Sequence, residues 1–146
     1  MKNYLTFRTS GVYFACDFED IIRIEAAAGK PVTPAPAFPE YMPGTIASDG
    51  EVIPVIDTAV RFGLSFGVVG DYSCFIIASL SEKSLEGRYS KCAALADEVC
   101  GSVKLEEELG DPPALNSESF AEYVKGTFVN DGKIYYVITP QLLVGE

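Results

Sequence analysis

One stretch of the chain occurs twice, and this repeat limits the possible folds more than any other feature. Residues Phe38–Asp57 (FPEYMPGTIASDGEVIPVID) align without a gap with Phe120–Thr139 (FAEYVKGTFVNDGKIYYVIT), and nine of the 20 aligned positions are identical. Repeats that form solenoids need about three units or more. Two copies therefore predict a pair of similar, pseudo-symmetric subdomains.

Each copy carries the signals of a β-hairpin. Asp49-Gly50 in the first copy and Asp131-Gly132 in the second lie between an extended run and a β-branched run. Asp-Gly is favoured in two-residue hairpin turns because both central residues adopt positive φ. Pro54 has no amide donor and marks a break in the hydrogen-bonded ladder of the first copy.

The rest of the chain has the pattern of further short strands. Tyr4–Arg8 and Val12–Cys16 flank a Ser-Gly turn, and Tyr72–Ser79 and Lys91–Ala96 continue the pattern in the second half. Short strands separated by closely spaced turns are typical of small β-barrels and not of a parallel sheet. The predicted fold is therefore mostly β.

Two short helices and one joint complete the predicted layout. Asp57 precedes Thr58–Phe62 in the position of a helix cap, and Pro140–Val144 begins with a proline, which the first turn of a helix accepts. The segment 63–71, with three glycines, is the predicted joint between two subdomains of a single domain spanning 1–146.

Charge and composition exclude several classes of protein. The chain has 21 acidic and 11 basic residues, a net charge of −10, and its field repels phosphate backbones and anionic membranes. No apolar run approaches the roughly 18 residues of a membrane span, and the N-terminus lacks the apolar core of a signal peptide. We expect a cytoplasmic protein that neither binds nucleic acid nor inserts into membranes.

The residues that most often perform catalysis or bind metal are missing or dispersed. The chain has no histidine, and its four cysteines, Cys16, Cys74, Cys92 and Cys100, form no Cys-x-x-Cys pair. We expect these cysteines to be buried thiols in a reducing compartment. No catalytic residue, metal site or cofactor is predicted.

Acidic side chains leave a second interpretation open. Asp49, Asp57 and Asp97 are candidates for a cleft of carboxylates in a small ligand-binding or hydrolytic β-barrel. However, Asp49 occupies a turn position that Asp-Gly favours for backbone reasons, and nothing in the spacing of the three residues specifies metal coordination.

Several surface features favour a module that binds another protein. Lys30–Pro43 contains five prolines and must be extended, looped or at the edge of a sheet. This segment, Glu25, Val32, the hairpin that begins at Gly44 and the corner at Val99 are exposed-looking features around short strands. A fold of two small barrels offers open strand edges and a cleft that a partner can occupy.

Specific motifs resemble the CheW family, the coupling adaptors of bacterial chemotaxis. Ile22-Arg-Ile-Glu25 is similar to a family strand that ends in a glutamate, and Gly50-Glu-Val-Ile-Pro-Val-Ile-Asp57 resembles the family's most specific motif, a hairpin of the form R-G-x-[IV]-[IVL]-P-[VI]-[IVL]-D. Ala94–Val99 resembles its V-D-x-V corner, and Tyr123–Gly126 its closing hairpin. The similarity covers nearly the whole chain.

The resemblance implies a fold, a set of partners and a set of contact residues. It implies two pseudo-symmetric five-stranded SH3-like β-barrels that share a core, with short helices that include one at the C-terminus. Members bridge the cytoplasmic tip of a chemoreceptor and the regulatory domain of a CheA-type histidine kinase, without catalysis. The implied partner-binding residues are Glu25, Val32, Gly44, Ala47, Ser48, Asp49, Gly50 and Val99.

The chain departs from the family pattern within this set. Where the family usually has Asn-Leu-Arg-Gly, the chain has Ala47-Ser48-Asp49-Gly50, and Ala59 replaces a frequent arginine. A negative charge at position 49 changes attraction into repulsion for a partner with an acidic face. The departure therefore predicts an atypical member and leaves a partner outside chemotaxis as an alternative.

Overall fold

The fold is mostly β in the computed structural model, which describes residues 2–64, 69–85, 87–106, 108–111 and 122–145. The strands in these residues are β1 (Lys2–Thr9), β2 (Val12–Asp17), β3 (Ile21–Ala26), β4 (Thr33–Pro34), β5 (Gly44–Ser48), β6 (Glu51–Asp57), β7 (Cys74–Ser84), β8 (Tyr89–Ala96), β9 (Glu98–Leu105), β10 (Gly126–Asn130) and β11 (Lys133–Ile138). A 3-10 turn at Phe18–Asp20 and the helices α1 (Thr58–Arg61) and α2 (Pro140–Val144) complete the described elements. The predicted mostly-β fold with short helices is confirmed.

The strands form two sheets that exchange hairpins between the halves of the chain. One sheet has five strands in the order β10-β11-β2-β1-β9, and the other has six in the order β3-β7-β8-β6-β5-β4. The β1–β2 hairpin comes from the first half but pairs with β9 and β11 of the second. The β7–β8 hairpin comes from the second half and pairs with β3 and β6 of the first.

Because of this exchange, the segment 63–71 does not lie between the two sheets. It joins β6 and α1 to β7, and β6 and β7 lie in the same six-stranded sheet; residues 65–68 are outside the described part. The two sheets therefore do not divide at this segment, since each of them needs strands from both sides of it.

The two copies of the repeat have the same register. Thr45 pairs with Pro54 in the first hairpin and Thr127 pairs with Tyr136 in the second, each partner being 82 positions further along the chain. β6 and β11 then each pair in parallel with the second strand of an exchanged hairpin, β8 or β2. Phe120 of the second copy lies outside the described residues.

The predicted turns and the predicted helix cap at Asp57 are confirmed, and the structure adds a second cap at Thr139. Asp49 and Asp131 have φ of 50° and 52°, and the glycines that follow also have positive φ. Asp57 Oδ1 accepts a hydrogen bond from the Val60 amide at 3.2 Å, and Thr139 Oγ1 accepts one from the Leu142 amide at 3.1 Å. These two caps are again 82 positions apart, so the symmetry extends into α1 and α2.

Pro54 lies where β6 changes its partner. Residues up to Pro54 pair with β5, and Val55–Asp57 pair with β8. The proline-rich segment contributes only the two-residue edge strand β4, as the missing amide donors require.

Three apolar clusters fill the fold. One lies within each sheet, and the largest lies between the two sheets, with Phe7 and Phe14 from one sheet and Ile56 and Ile76 from the other. Leu143 of α2 also belongs to this shared cluster. The shared core therefore joins both halves into one packed unit.

A stacked arginine lies where the repeat copies approach each other. The Arg61 guanidinium carbon is 3.7 Å from the ring centre of Tyr41 and 4.0 Å from that of Tyr123, the equivalent residue of the second copy. The Tyr41 hydroxyl donates a hydrogen bond to the carbonyl oxygen of Val144 at 2.6 Å. One cation thus connects α1, both repeat copies and the end of α2.

Two of the four cysteines are buried as predicted and two are not. Cys16 and Cys92 are buried, and burial raises the pKa of the Cys92 thiol to about 12. Cys74 is half-buried and Cys100 is exposed, so the prediction was wrong for these two. Cys100 lies at a β-bulge opposite β1. The apolar appearance of the sequence around Cys100 gives no sign of this bulge.

Candidate functional site

A polar network closes the six-stranded sheet at one rim. β3 and β5 are not hydrogen-bonded neighbours in this sheet, yet their side chains meet. Arg23 Nε donates to Glu25 Oε2 at 3.1 Å and to Ser48 Oγ at 3.0 Å, and Lys30 Nζ donates to Glu25 Oε1 at 2.7 Å. The Ser48 hydroxyl in turn donates to the Glu25 carboxylate. We call Arg23, Glu25, Lys30 and Ser48 the rim network.

The local sequence explains this arrangement. Arg23 and Glu25 are two positions apart and therefore lie on one face of β3, and Ser48 shares its face of β5 with Ile46 in the apolar cluster of the sheet. Ser48 is only 3% exposed. The network thus covers the end of the apolar cluster.

The network strongly favours the charged form of Glu25. Hydrogen bonds from Lys30 and Ser48, and then from Arg23, lower the pKa of Glu25 from 4.5 to about 2. The carboxylate is therefore ionised, and both of its oxygens have partners within the chain.

Val32 and Gly44 contact each other beside this rim. Val32 packs against the apolar cluster of the six-stranded sheet. A β-carbon added to Gly44 would lie 2.0 Å from the Thr33 carbonyl oxygen and 3.0 Å from Val32 Cγ1. Only glycine permits this close approach of β4 to β5.

Ala47, Asp49 and Gly50 form the exposed end of the β5–β6 hairpin. Ala47 pairs with Val52 on the outer face of the hairpin, and Val52 is 58% exposed. Asp49 and Gly50 form the turn, and both are exposed. The turn follows Ser48 directly and is thus anchored by the rim network.

The structure places seven of the eight predicted contact residues on the six-stranded sheet or beside it. Val99 is the exception. It pairs with Phe7 in the five-stranded sheet and packs, partly buried, against the cluster between the sheets. The predicted contact residues are therefore divided between the two sheets, and only the seven on or beside the six-stranded sheet form a contiguous rim.

Sequence reasoning missed Arg23 and Lys30, which hold Glu25. A signal for Arg23 was present, because alternation along β3 places it on the same face as Glu25. Lys30 follows the turn after β3, and no pattern in the sequence predicts where its side chain lies.

Apolar side chains are exposed along the other face of β3. Ile22 and Ile24 alternate with Arg23 and Glu25, and Phe18 lies just before the strand; each of these three apolar residues is about 40% exposed. β3 is an end strand of its sheet, and its side chains alternate between two faces. It therefore presents the polar rim network on one face and an apolar strip on the other.

The three candidate carboxylates do not converge on one site. Asp57 caps α1, and Asp97 Oδ2 accepts a hydrogen bond from the Ser10 amide at 2.9 Å, while Asp49 lies in the exposed turn. Within the described ranges, no three acidic or cysteine side chains are grouped so that they could hold a metal ion. No observation favours a hydrolytic or ligand-binding barrel.

Among the described segments, no helix is both long enough and apolar enough to cross a bilayer. The two sheets, their shared core and the rim network define the protein as a β-scaffold.

Comparison with known proteins agrees with this class. The family model of the CheW-like domain matches residues 3–146. A probable chemotaxis protein CheW from Rhizobium etli is 26% identical over 146 residues, which cover 99% of this chain and 88% of that protein. The crystal structure of the scaffolding protein TtCheW from Thermoanaerobacter tengcongensis superposes with a TM-score of 0.81 at 24% identity, over 97% of this chain and 86% of that one.

This chain belongs to the CheW-like domain family, the coupling scaffolds of chemotaxis. The resemblance to this family is confirmed, and the fold that it implied agrees with the two-sheet architecture. One sheet has the five strands that the resemblance implied, and the other has six because the short edge strand β4 is added.

Proposed function

We propose that this protein is a non-catalytic, cytoplasmic adaptor that couples a chemoreceptor to a CheA-type histidine kinase. The observation that carries the proposal is the contiguous rim on the six-stranded sheet, where Glu25, Ser48 and the Asp49-Gly50 turn lie together. Family membership supplies the biological context for this surface.

The two partners use different surfaces in this proposal. The regulatory domain of the kinase contacts the six-stranded sheet near Glu25 and Val32. The cytoplasmic tip of the receptor lies in the groove between the sheets, with the β5–β6 turn on one side and Val99 on the other. Both contacts depend on apolar burial with a polar rim, as in other protein interfaces.

Asp49 determines which partner is accepted. Its carboxylate is exposed on a turn with a fixed backbone, so a partner must present a neutral or basic group at that point. A partner with an acidic face is repelled.

Binding experiments with purified fragments test the proposal. We expect the protein to bind the regulatory domain of a CheA kinase and the cytoplasmic tip of a chemoreceptor from its own organism, measured by calorimetry. Absence of binding to every such kinase and receptor fragment would contradict the coupling role and would favour a partner outside chemotaxis.

Charge reversal at the turn tests the role of Asp49. Asp49→Arg should strengthen binding to a partner with an acidic face, mainly through a faster association rate. Asp131→Arg makes the same change at the equivalent turn of the other sheet, where φ is also positive, and should leave affinity unchanged. Equal effects of the two substitutions would show that only net charge matters.

A further inference from the structure

The far edge of β5 is covered in two different ways along its length. At its beginning, β4 pairs with Gly44 and Thr45 through the backbone. β4 ends there, and at Ser48 the cover consists of Arg23 and Glu25 side chains from β3. Side chains thus replace backbone pairing at the end of the strand that leads into the Asp49-Gly50 turn.

The Ser48 hydroxyl is the centre of this contact. It accepts hydrogen bonds from the Arg23 guanidinium and donates one to the Glu25 carboxylate. Lys30 adds a second cation on the other carboxylate oxygen. Hydrogen bonds between charged groups are stronger than neutral ones, and a partly buried pair is screened less by salt than an exposed pair.

Among the described residues, the five-stranded sheet has no such contact at the equivalent positions. Strand pairing relates Arg23 to Gly101. Arg23 lies opposite Ile77 and Gly101 lies opposite Thr6, and these two partners occupy equivalent positions of β7 and β1, each two strands away from the repeat strand of its sheet. By the same register, Val103 corresponds to Glu25.

The residue equivalent to Ser48 also differs. Asn130 stands 82 positions after Ser48 and is exposed, whereas Ser48 is buried. The rim network is therefore an addition to one of the two otherwise symmetric sheets, and the common skeleton does not require it.

We propose that Arg23, Glu25, Lys30 and Ser48 form a latch that holds β3 against β5 and keeps the β5–β6 turn in one conformation. Arg23 and Ser48 are then positioning residues for partner recognition. This deepens the proposed function, since it explains how the turn that carries Asp49 is prepared before a partner arrives. A preformed turn spares the complex the entropy cost of ordering it.

Amide hydrogen exchange tests the latch without any partner. In Arg23→Met we expect the protected amides of 46–53 to exchange about tenfold faster than in the wild type, while those of 128–135 in the other hairpin stay unchanged. Ser48→Ala should act in the same direction, and 1 M salt should reduce the difference between wild type and Arg23→Met. Unchanged exchange at 46–53 in both variants would overturn the proposal.

Partner binding provides a second and separate test. Arg23→Met and Ser48→Ala should weaken binding of the receptor tip several-fold, because the turn that they position lies in the proposed receptor groove, and Arg23→Lys should restore part of the loss. Asn130→Ala is the matched control and should have no effect. If Lys30→Met instead strengthens binding, Glu25 is a contact that Lys30 occupies in the free protein, and the positioning role is wrong.

The two tests separate the latch from the proposed function. Faster exchange at 46–53 together with a wild type that binds no kinase or receptor fragment would keep the latch and exclude the coupling role. Normal exchange together with weaker binding would keep the coupling role and exclude the latch.

Discussion

The two repeat hairpins have the same backbone and different surfaces. β5–β6 and β10–β11 share their register, their turn geometry and the capped helix that follows. Yet Ser48 is buried in the rim network while its equivalent, Asn130, is exposed. The repeat therefore specifies a backbone skeleton, and the side chains around it give the first copy a polar network that the second copy lacks among the described residues.

Their exposed faces differ as well. The first hairpin carries Ala47 opposite Val52, and the second carries Val129 opposite Ile134, which are 68% and 52% exposed. In the first hairpin, Glu51 follows the turn and forms an ion pair with Lys91 of β8. In the second hairpin, the equivalent residue is Lys133. The first hairpin is thus more acidic and the second more apolar, so the two sheets offer different surfaces to partners.

The largest expected effect concerns the glycine that begins each hairpin. Gly44→Ala should lower the free energy of unfolding by about 3 kcal/mol, because the new methyl group overlaps the Thr33 carbonyl oxygen. Gly126→Ala should cost less, since its nearest neighbour, the Gly110 carbonyl oxygen, would be 2.7 Å away. Urea denaturation measures both; a larger loss for Gly126→Ala would reverse the comparison.

Arg61 of α1 marks a second difference, which lies in the helices that follow the two hairpins. Its equivalent 82 positions later is the buried Leu143, so only α1 supplies a stacked cation. Arg61→Ala should cost about 2 kcal/mol, roughly one for each cation–π contact, and Arg61→Lys should cost less. A double-mutant cycle with Tyr123→Leu isolates one of the contacts. A coupling energy near zero would mean that the stack contributes only packing.

The two helix caps should contribute equally to stability, because they occupy equivalent positions after the two hairpins. Asp57→Ala and Thr139→Ala each remove a side-chain acceptor from the start of a short helix, and each should cost about 1 kcal/mol. Thr139→Ser should retain nearly full stability, which thermal denaturation would show. A loss at only one of the two positions would mean that the helices do not contribute equally.

The smallest expected effect is the pH dependence of the rim network. The pKa of Glu25 is about 2 in the folded protein and ordinarily 4.5, so ionised Glu25 favours the folded state above pH 4.5, and this contribution disappears as the pH falls toward 2. The stability difference between wild type and Glu25→Gln should therefore shrink over that interval.

Glu98→Gln is the control for this measurement. It removes an exposed ion pair with Arg8 in the five-stranded sheet, and such pairs contribute about 0–1 kcal/mol. A difference between wild type and Glu25→Gln that stays constant from pH 6 to pH 3 would contradict the role of the network.

Much of the local structure could be predicted from the sequence. The positive φ of Asp49 and Asp131, the cap at Asp57 and the edge position of the proline segment all depend on residues within a few positions of each other. The candidate site was predicted less completely. The family resemblance points to Glu25 through its likeness to a family strand and to Ser48 as part of a departure from a family motif. It predicts neither their mutual hydrogen bond nor the contacts that Arg23 and Lys30 make with them.

The sequence alone determined the repeat, the hairpins and their turns, because these follow from short-range backbone preferences and from the alternation of apolar residues. Only the tertiary structure decided that each sheet takes a hairpin from the other half of the chain. An apolar face specifies that a strand must be covered, but many strands satisfy that need equally well. The rim network likewise depends on the tertiary structure, because it joins side chains of β3 and β5, two strands that are not neighbours in the sheet and are separated in sequence by the whole proline segment.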